Sequence, residues 1–243
     1  RFSTATIRVV GGDYLQSMFS TAYQLYRVTF KKNGVITWCG FVSPELYTQD
    51  YSSTLFELEL KCMSAMSTLE FIDYKQIGEN REFVSIWELL KRCIESASSQ
   101  YTAIYIPHVY GKDAISFESG TNVLKDMSIS EQNFFDEDDK PMKLKEVLEE
   151  ICKFLNWTCI DWRGELYFVD IDHIGEFYKY NPVTFEKIGI VSPTLLNIQD
   201  IGFAGSEHAL DILPGYNKVT IKNSNYCISS EIQEEDYDSL KVL

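Results

Sequence analysis

From Phe56 to Cys62 the chain alternates without a break. Phe56, Leu58, Leu60 and Cys62 fall on one side of an extended strand, and Glu57, Glu59 and Lys61 on the other. A period of two predicts a half-buried strand with one face in water. Upstream, residues 23–30 and 35–42 read as two strands joined at Asn33-Gly34. Both central positions of such a hairpin need positive φ, which Asn and Gly tolerate. Pro44 stops the second arm, because proline removes a ladder donor. After the alternating strand, Ala65, Met66 and Leu69 predict a short helix ending near Phe71-Ile72-Asp73-Tyr74.

The period then lengthens. Ser85-Ile86-Trp87-Glu88 is a capping box, and Ile86, Leu89, Leu90, Cys93 and Ile94 make the apolar stripe of the helix it opens. Residues 101–109 read as extended, interrupted by Pro107. Residues 111–140 are polar and weakly patterned; their acidic run, Asp136-Glu137-Asp138-Asp139, reads as a solvated loop. A calcium loop would need a glycine and alternating oxygen ligands that are absent here. Pro141 opens a second helix with Leu144, Val147, Leu148, Ile151, Phe154 and Leu155 on one face and charges on the rest, ending near Asn156. Strand 157–160, turn 161–165 and strand 166–170 follow, a hairpin whose sheet face takes up the helix stripe. The last third is strand and loop. Residues 217–222 alternate after the turn Leu213-Pro214-Gly215-Tyr216, and an acidic tail runs from Glu231 to Asp238.

Composition narrows the function classes. Of 243 residues 45% are hydrophobic, enough for a core, and 14% are aromatic, which suits strand-rich or interface-rich proteins. The net charge of -14 argues against a nucleic-acid partner, whose phosphates need a basic surface, and against docking on anionic lipid. No apolar run approaches membrane-spanning length, so the chain reads as soluble, without membrane insertion. The six cysteines, Cys39, Cys62, Cys93, Cys152, Cys159 and Cys227, form no CxxC pair. They read as buried free thiols in preference to a disulfide framework. Zinc is disfavoured, because His108, His173 and His208 lie away from any cysteine pair.

Catalytic motifs are missing. There is no GxSxG elbow, no P-loop and no GxGxxG; Gly11-Gly12 lacks the later glycine. Asp170-Ile171-Asp172-His173 is one crowded polar cluster, read as a strand end entering a loop, with a cation site or general base as the alternative. Trp87 and Trp157 fall in apolar patterns and belong to the core, whereas Trp162, at a hairpin tip, is expected to be exposed. The reading assigns no catalytic residue, cofactor or metal.

One segment has a different character. Trp38-Cys39-Gly40-Phe41-Val42 is followed by Pro44-Glu45-Leu46-Tyr47, then Tyr51 and the strand to Cys62. With residues 144–157 running into 166–170, and Leu213-Pro214-Gly215-Tyr216-Asn217-Lys218-Val219, it resembles tail proteins of phages and prophages of Bacteroidetes-type bacteria. The resemblance covers roughly residues 23–74, 141–172 and 208–224. More remotely it is similar to baseplate-hub proteins of phage tails. Met63-Ser64 depart from the family, which often has an acidic residue and a glycine there, and no peptidoglycan-cleaving domain is present. The resemblance implies a β-rich α+β fold: a β-barrel-like domain formed by residues 1–76 and 186–243, interrupted by an α/β insertion at 77–185.

It also implies a structural role: a homo-oligomeric ring in a virion tail, with other tail proteins as partners, made in the host cytoplasm before assembly. Trp38, Phe41, Tyr47, Tyr51 and Trp162 are the expected assembly contacts. Trp38 and Phe41 are three apart and so face opposite sides of a regular strand, one toward the core and one toward a neighbour. The competing reading is a secreted or surface binding module, for carbohydrate, with an exposed tryptophan platform and disulfides. An enzyme ranks third.

Overall fold

The computed structural model describes residues 2–13, 15, 18, 20–45, 55–107, 122–170 and 175–192, all within the compact unit Arg1–Pro193. It is a β-rich α+β protein with a curled half-barrel sheet and few helices. In chain order the elements are β1 (Thr4–Gly11), β2 (Arg27–Lys32), β3 (Val35–Val42), β4 (Phe56–Ser64), a 3-10 helix (Ala65–Phe71), β5 (Phe83–Ser85), α1 (Ile86–Ser96) and β6 (Ile104–Pro107). Then follow β7 (Ser128–Ser130), α2 (Leu144–Phe154), β8 (Trp157–Trp162), β9 (Glu165–Asp170), β10 (Phe177–Tyr180) and β11 (Lys187–Val191).

The first sheet is antiparallel, in the order β1-β4-β3-β2. Its hairpin turns at Asn33 (φ 53°) and Gly34 (φ 80°), the left-handed pair that a right-twisted two-residue turn demands. Along β4, Leu58, Leu60 and Cys62 are buried while Glu57, Glu59 and Lys61 face water. The strand expected from residue 23 begins only at Arg27. Residues 21–26 turn instead, with Gln24 at φ 58°, and its side-chain amide donates to Thr68 Oγ1 and the Ser96 carbonyl, both at 2.8 Å. Those bonds tie the approach to the 3-10 helix and to the end of α1.

The second sheet has the order β11-β10-β6-β9-β8. Its centre is the parallel pairing of Ile104 with Leu166 and Tyr105 with Tyr167. Ile104, Ile106, Leu166 and Phe168 turn inward and join the buried stripes of α1 and α2, together with Cys39, Phe41, Met66 and Leu69 from the first sheet and the 3-10 helix. One continuous core thus lies under both sheets. Ser85 Oγ accepts from the Glu88 amide at 3.2 Å, the serine half of the expected capping box, while the Glu88 carboxylate lies 3.4 Å from Lys91 Nζ.

Two expectations about α2 are corrected. The helix starts at Leu144 and not at Pro141. Residues 141–143 are extended: the Met142 amide donates to the Phe134 carbonyl and its carbonyl accepts from the Tyr74 amide, each at 2.8 Å. Glu146 then reaches back to the Lys143 amide at 2.7 Å and opens the helix. Phe154 is 60% exposed, not part of the buried face. It is the last residue of the helix, on the same flank as the buried Val147 two turns earlier. The turn at 161–165 is also tighter than expected. Asp161 and Trp162 still pair within β8–β9, and only Arg163 (φ 52°) and Gly164 (φ 76°) turn.

Candidate assembly surface

The expected contact residues occupy three kinds of position. Phe41 goes into the core, 2% exposed, with the Arg27 guanidinium 5.6 Å from its ring centre. Trp38 lies on the opposite face of β3, half-buried against Phe30 at a ring separation of 5.4 Å. Its indole N–H donates to Ser3 Oγ at 2.8 Å, and Ser3 in turn donates from Oγ and from its amide to Asp161 Oδ1 at 3.0 and 3.2 Å. Tyr47 and Tyr51 lie outside the described residues, as do His108, His173 and His208.

The Ser3 relay couples the two regions from which contacts were expected, the Trp38 strand and the Trp162 hairpin. A second link is steric. A Cβ on Gly164 would sit 2.3 Å from the Ile36 carbonyl oxygen, so the hairpin tip packs backbone to backbone on β3. The Gly164 carbonyl also accepts from the Thr102 amide at 2.9 Å.

Trp162 remains 56% exposed at that tip, with the Arg163 guanidinium 4.3 Å from its ring centre. It is the end of a row. Its ring meets Tyr167 edge-on at 6.3 Å, and Tyr167 stacks on Tyr105 at 4.6 Å and 4°. Both phenols donate to the Glu165 carboxylate, Tyr105 at 3.1 Å and Tyr167 at 2.5 Å. Burial, followed by the hydrogen bond to Glu165, raises the Tyr167 hydroxyl above its ordinary range. Lys179 lies 5.3 Å from the Tyr105 ring centre, and its hydrogen bond with the Tyr105 hydroxyl holds its pKa above the usual lysine value.

Tyr105, Glu165, Tyr167 and Lys179 were not singled out from sequence. The signal was there for Tyr167: Leu166 and Phe168 are apolar neighbours of period two, which sends Tyr167 to the other face. For Tyr105 and Lys179 the signal was absent, because β6 meets β9, and β10 meets β6, only through long-range pairing.

No family model, curated protein or solved structure matches the chain. Function is therefore argued from its own chemistry. A groove of about 750 Å³ between α2 and β8 is lined by Phe2, Lys145, Glu149, Cys152, Lys153 and Trp157, among others. Burial pushes the Cys152 thiol up to about 11, so at neutral pH the groove presents a protonated thiol and no thiolate nucleophile. Cys39, Cys62, Cys93, Cys152 and Cys159 are all buried and free. Among the described residues no three His, Cys, Asp or Glu side chains converge as a metal site.

Proposed function

We propose that this chain is a structural component of a phage or prophage tail, of the hub or baseplate type, working by oligomeric assembly and not by catalysis. The observation that carries this reading is the geometry of Trp38-Cys39-Gly40-Phe41. Trp38 and Gly40 share one face of β3, Phe41 anchors the other in the core, and the strand turns off at Pro44 before the alternating strand begins. This is the order of features that suggests the tail family. In the same reading, 77–185 form the insertion and residues 186–243, whose first strand β11 still pairs with β10 in the second sheet, go on to complete a barrel with residues 1–76. The partners are further copies of the chain in a ring and the neighbouring tail proteins.

Electron microscopy of the parent virion tests it. Density for this chain in the tail is expected, and its absence from the tail would sink the proposal.

A second reading is favoured by Trp162, the exposed end of the row that runs inward to Lys179: a saccharide-binding surface, in which the exposed indole offers a stacking face and the half-buried Glu165 a hydrogen-bond acceptor. Titration with an oligosaccharide panel decides it. Heat of binding that vanishes in Trp162→Ala would favour this second reading. Titration of six free thiols in the unfolded, unreduced protein would favour the tail.

A further inference from the structure

The β2–β3 and β8–β9 hairpins make the same turn with different residues. Asn33 and Gly34 have φ of 53° and 80°, and Arg163 and Gly164 have 52° and 76°. The first turn position favours Asn, Asp or Gly, because other L-residues are strained at positive φ. An arginine there works against local chemistry, and such an outlier points to a role for its side chain. Among the described residues, the other long side chains at positive φ find that role inside the molecule. Gln24 (φ 58°) bonds to Thr68 and Ser96, and Phe185 (φ 56°) is buried against Trp87. Arg163 is exposed.

Its guanidinium is also the one left over. Arg8 and Arg81 pair with carboxylates, and Arg27 and Arg92 donate to the carbonyls of Ser98 and Lys75. Among the described residues none accepts a hydrogen bond from the Arg163 guanidinium, although the chain has 36 acidic residues against 22 basic ones. Glu165, across the β8–β9 pair from Trp162, gives its carboxylate to Tyr105 and Tyr167. Arg163 only stacks over the Trp162 ring, 4.3 Å from its centre. Stacking holds a guanidinium by its face and leaves free the N–H edge that forks onto a carboxylate. Trp162 itself keeps 56% of its surface open. The mount is rigid: Gly164 has no room for a Cβ against the Ile36 carbonyl, and its own carbonyl accepts from the Thr102 amide at 2.9 Å.

We infer that Trp162 and Arg163 form a binding site for an acidic saccharide, a pyranose that carries a carboxylate. The indole takes the apolar C–H face of the sugar ring, and the guanidinium forks onto the carboxylate. A uronic acid presents both groups within one ring, as two adjacent residues present their complements here. An acidic peptide brings the carboxylate without the apolar face. The inference rests on the saccharide reading above and names the ligand class of that same surface.

Calorimetric titration of the full chain with trigalacturonic acid and with its methyl ester tests it. The ester keeps every ring and loses every charge. The wild type is expected to bind the acid roughly tenfold more tightly than the ester. Arg163→Asn should bind both alike, at the affinity of the ester. Asparagine suits this turn, so the urea midpoint of Arg163→Asn should be no lower than that of the wild type, and a lost preference is then no folding defect. Arg163→Lys, which keeps the charge without the fork, should lose most of the preference. Equal binding of acid and ester by the wild type overturns the inference and leaves the saccharide reading standing. A lowered midpoint in Arg163→Asn also overturns it, by giving the arginine a structural role. Triglutamate bound as tightly as trigalacturonic acid would assign the site to an acidic peptide instead. Binding of neither saccharide removes the saccharide reading and this inference together.

Discussion

Trp38 lies over Gly40, two residues along the same face of β3. A Cβ built on Gly40 would stand 2.5 Å from Cη2 of the indole and 2.1 Å from the Met63 carbonyl oxygen on β4. The aromatic-x-Gly-aromatic pattern is thus a packing unit. The glycine lets the indole fold down beside its own strand and lets β3 approach β4, while Phe41 goes to the core. Gly40→Ala must displace the indole and also a backbone carbonyl. Because the carbonyl cannot swing away as a side chain can, the cost is expected at about 3 kcal/mol, the upper end of overpacking. Chemical denaturation of Gly40→Ala should show a lowered midpoint, and the double variant Trp38→Leu/Gly40→Ala should recover only part of it. Full recovery would show that the indole alone makes the glycine necessary.

Much of this fold was legible where local chemistry decides. Asn33-Gly34, the Ser85 cap and the alternation from Leu58 to Cys62 are dictated within a few residues, and each stands where the sequence put it. Legibility fails where a distant segment decides. Pro141 does not open α2 because Met142 is held extended by the Tyr74 amide and the Phe134 carbonyl. Gln24 ends a promising apolar run because its amide finds partners 44 and 72 residues away. The candidate surface divides in the same way. The exposure of Trp162 follows from its place at a hairpin tip, but the Tyr105–Tyr167 stack needs the parallel β6–β9 pairing, which no local pattern announces.

The cap of α1 offers a clean test of local encoding. Ser85 satisfies the Glu88 amide, and the Glu88 carboxylate lies 3.4 Å from Lys91 Nζ. Ser85→Ala removes the acceptor and should cost about 1 kcal/mol, read as a drop in the urea midpoint, while Ser85→Asp should cost close to nothing. Equal losses in both would mean that β5 pairing, and not capping, fixes this residue.

Glu131 is a buried carboxylate, 2% exposed, held by the Tyr74 hydroxyl at 2.5 Å and the Ile77 amide at 2.9 Å, both on Oε1. It fastens the residues after the 3-10 helix to the segment before α2. Tyr74→Phe keeps the ring contacts with Phe134 and Phe135 and deletes one donor to a buried charge. A loss of roughly 1.5–3 kcal/mol is expected by thermal or chemical unfolding. Adding Glu131→Gln to Tyr74→Phe should restore part of it, because a neutral amide is cheaper to leave short of one donor. No restoration would mean that the carboxylate finds another donor once Tyr74 is gone.

The buried thiols predict how stability depends on alkaline pH. Burial pushes Cys93, at the contact of α1 and α2, up to about 12 and Cys152 up to about 11, from an ordinary value near 9.0. Below pH 9 the folded and unfolded chains both hold these protons, and the thiols add no pH dependence. Above pH 9 the unfolded chain releases them while the folded chain keeps them, so stability falls as pH rises through the folded values, by at most about 1.4 kcal/mol per pH unit for each thiol. Tyr180, raised to about 12 by burial, acts in the same direction but only from pH 10 upward. The window from pH 9 to 10 therefore isolates the cysteines. The thermal midpoint should be level from pH 7.5 to 8.5 and then decline, and Cys93→Ala should decline less steeply across that window. A midpoint level through pH 10 in the wild type would place the thiols in contact with water and contradict the core described here.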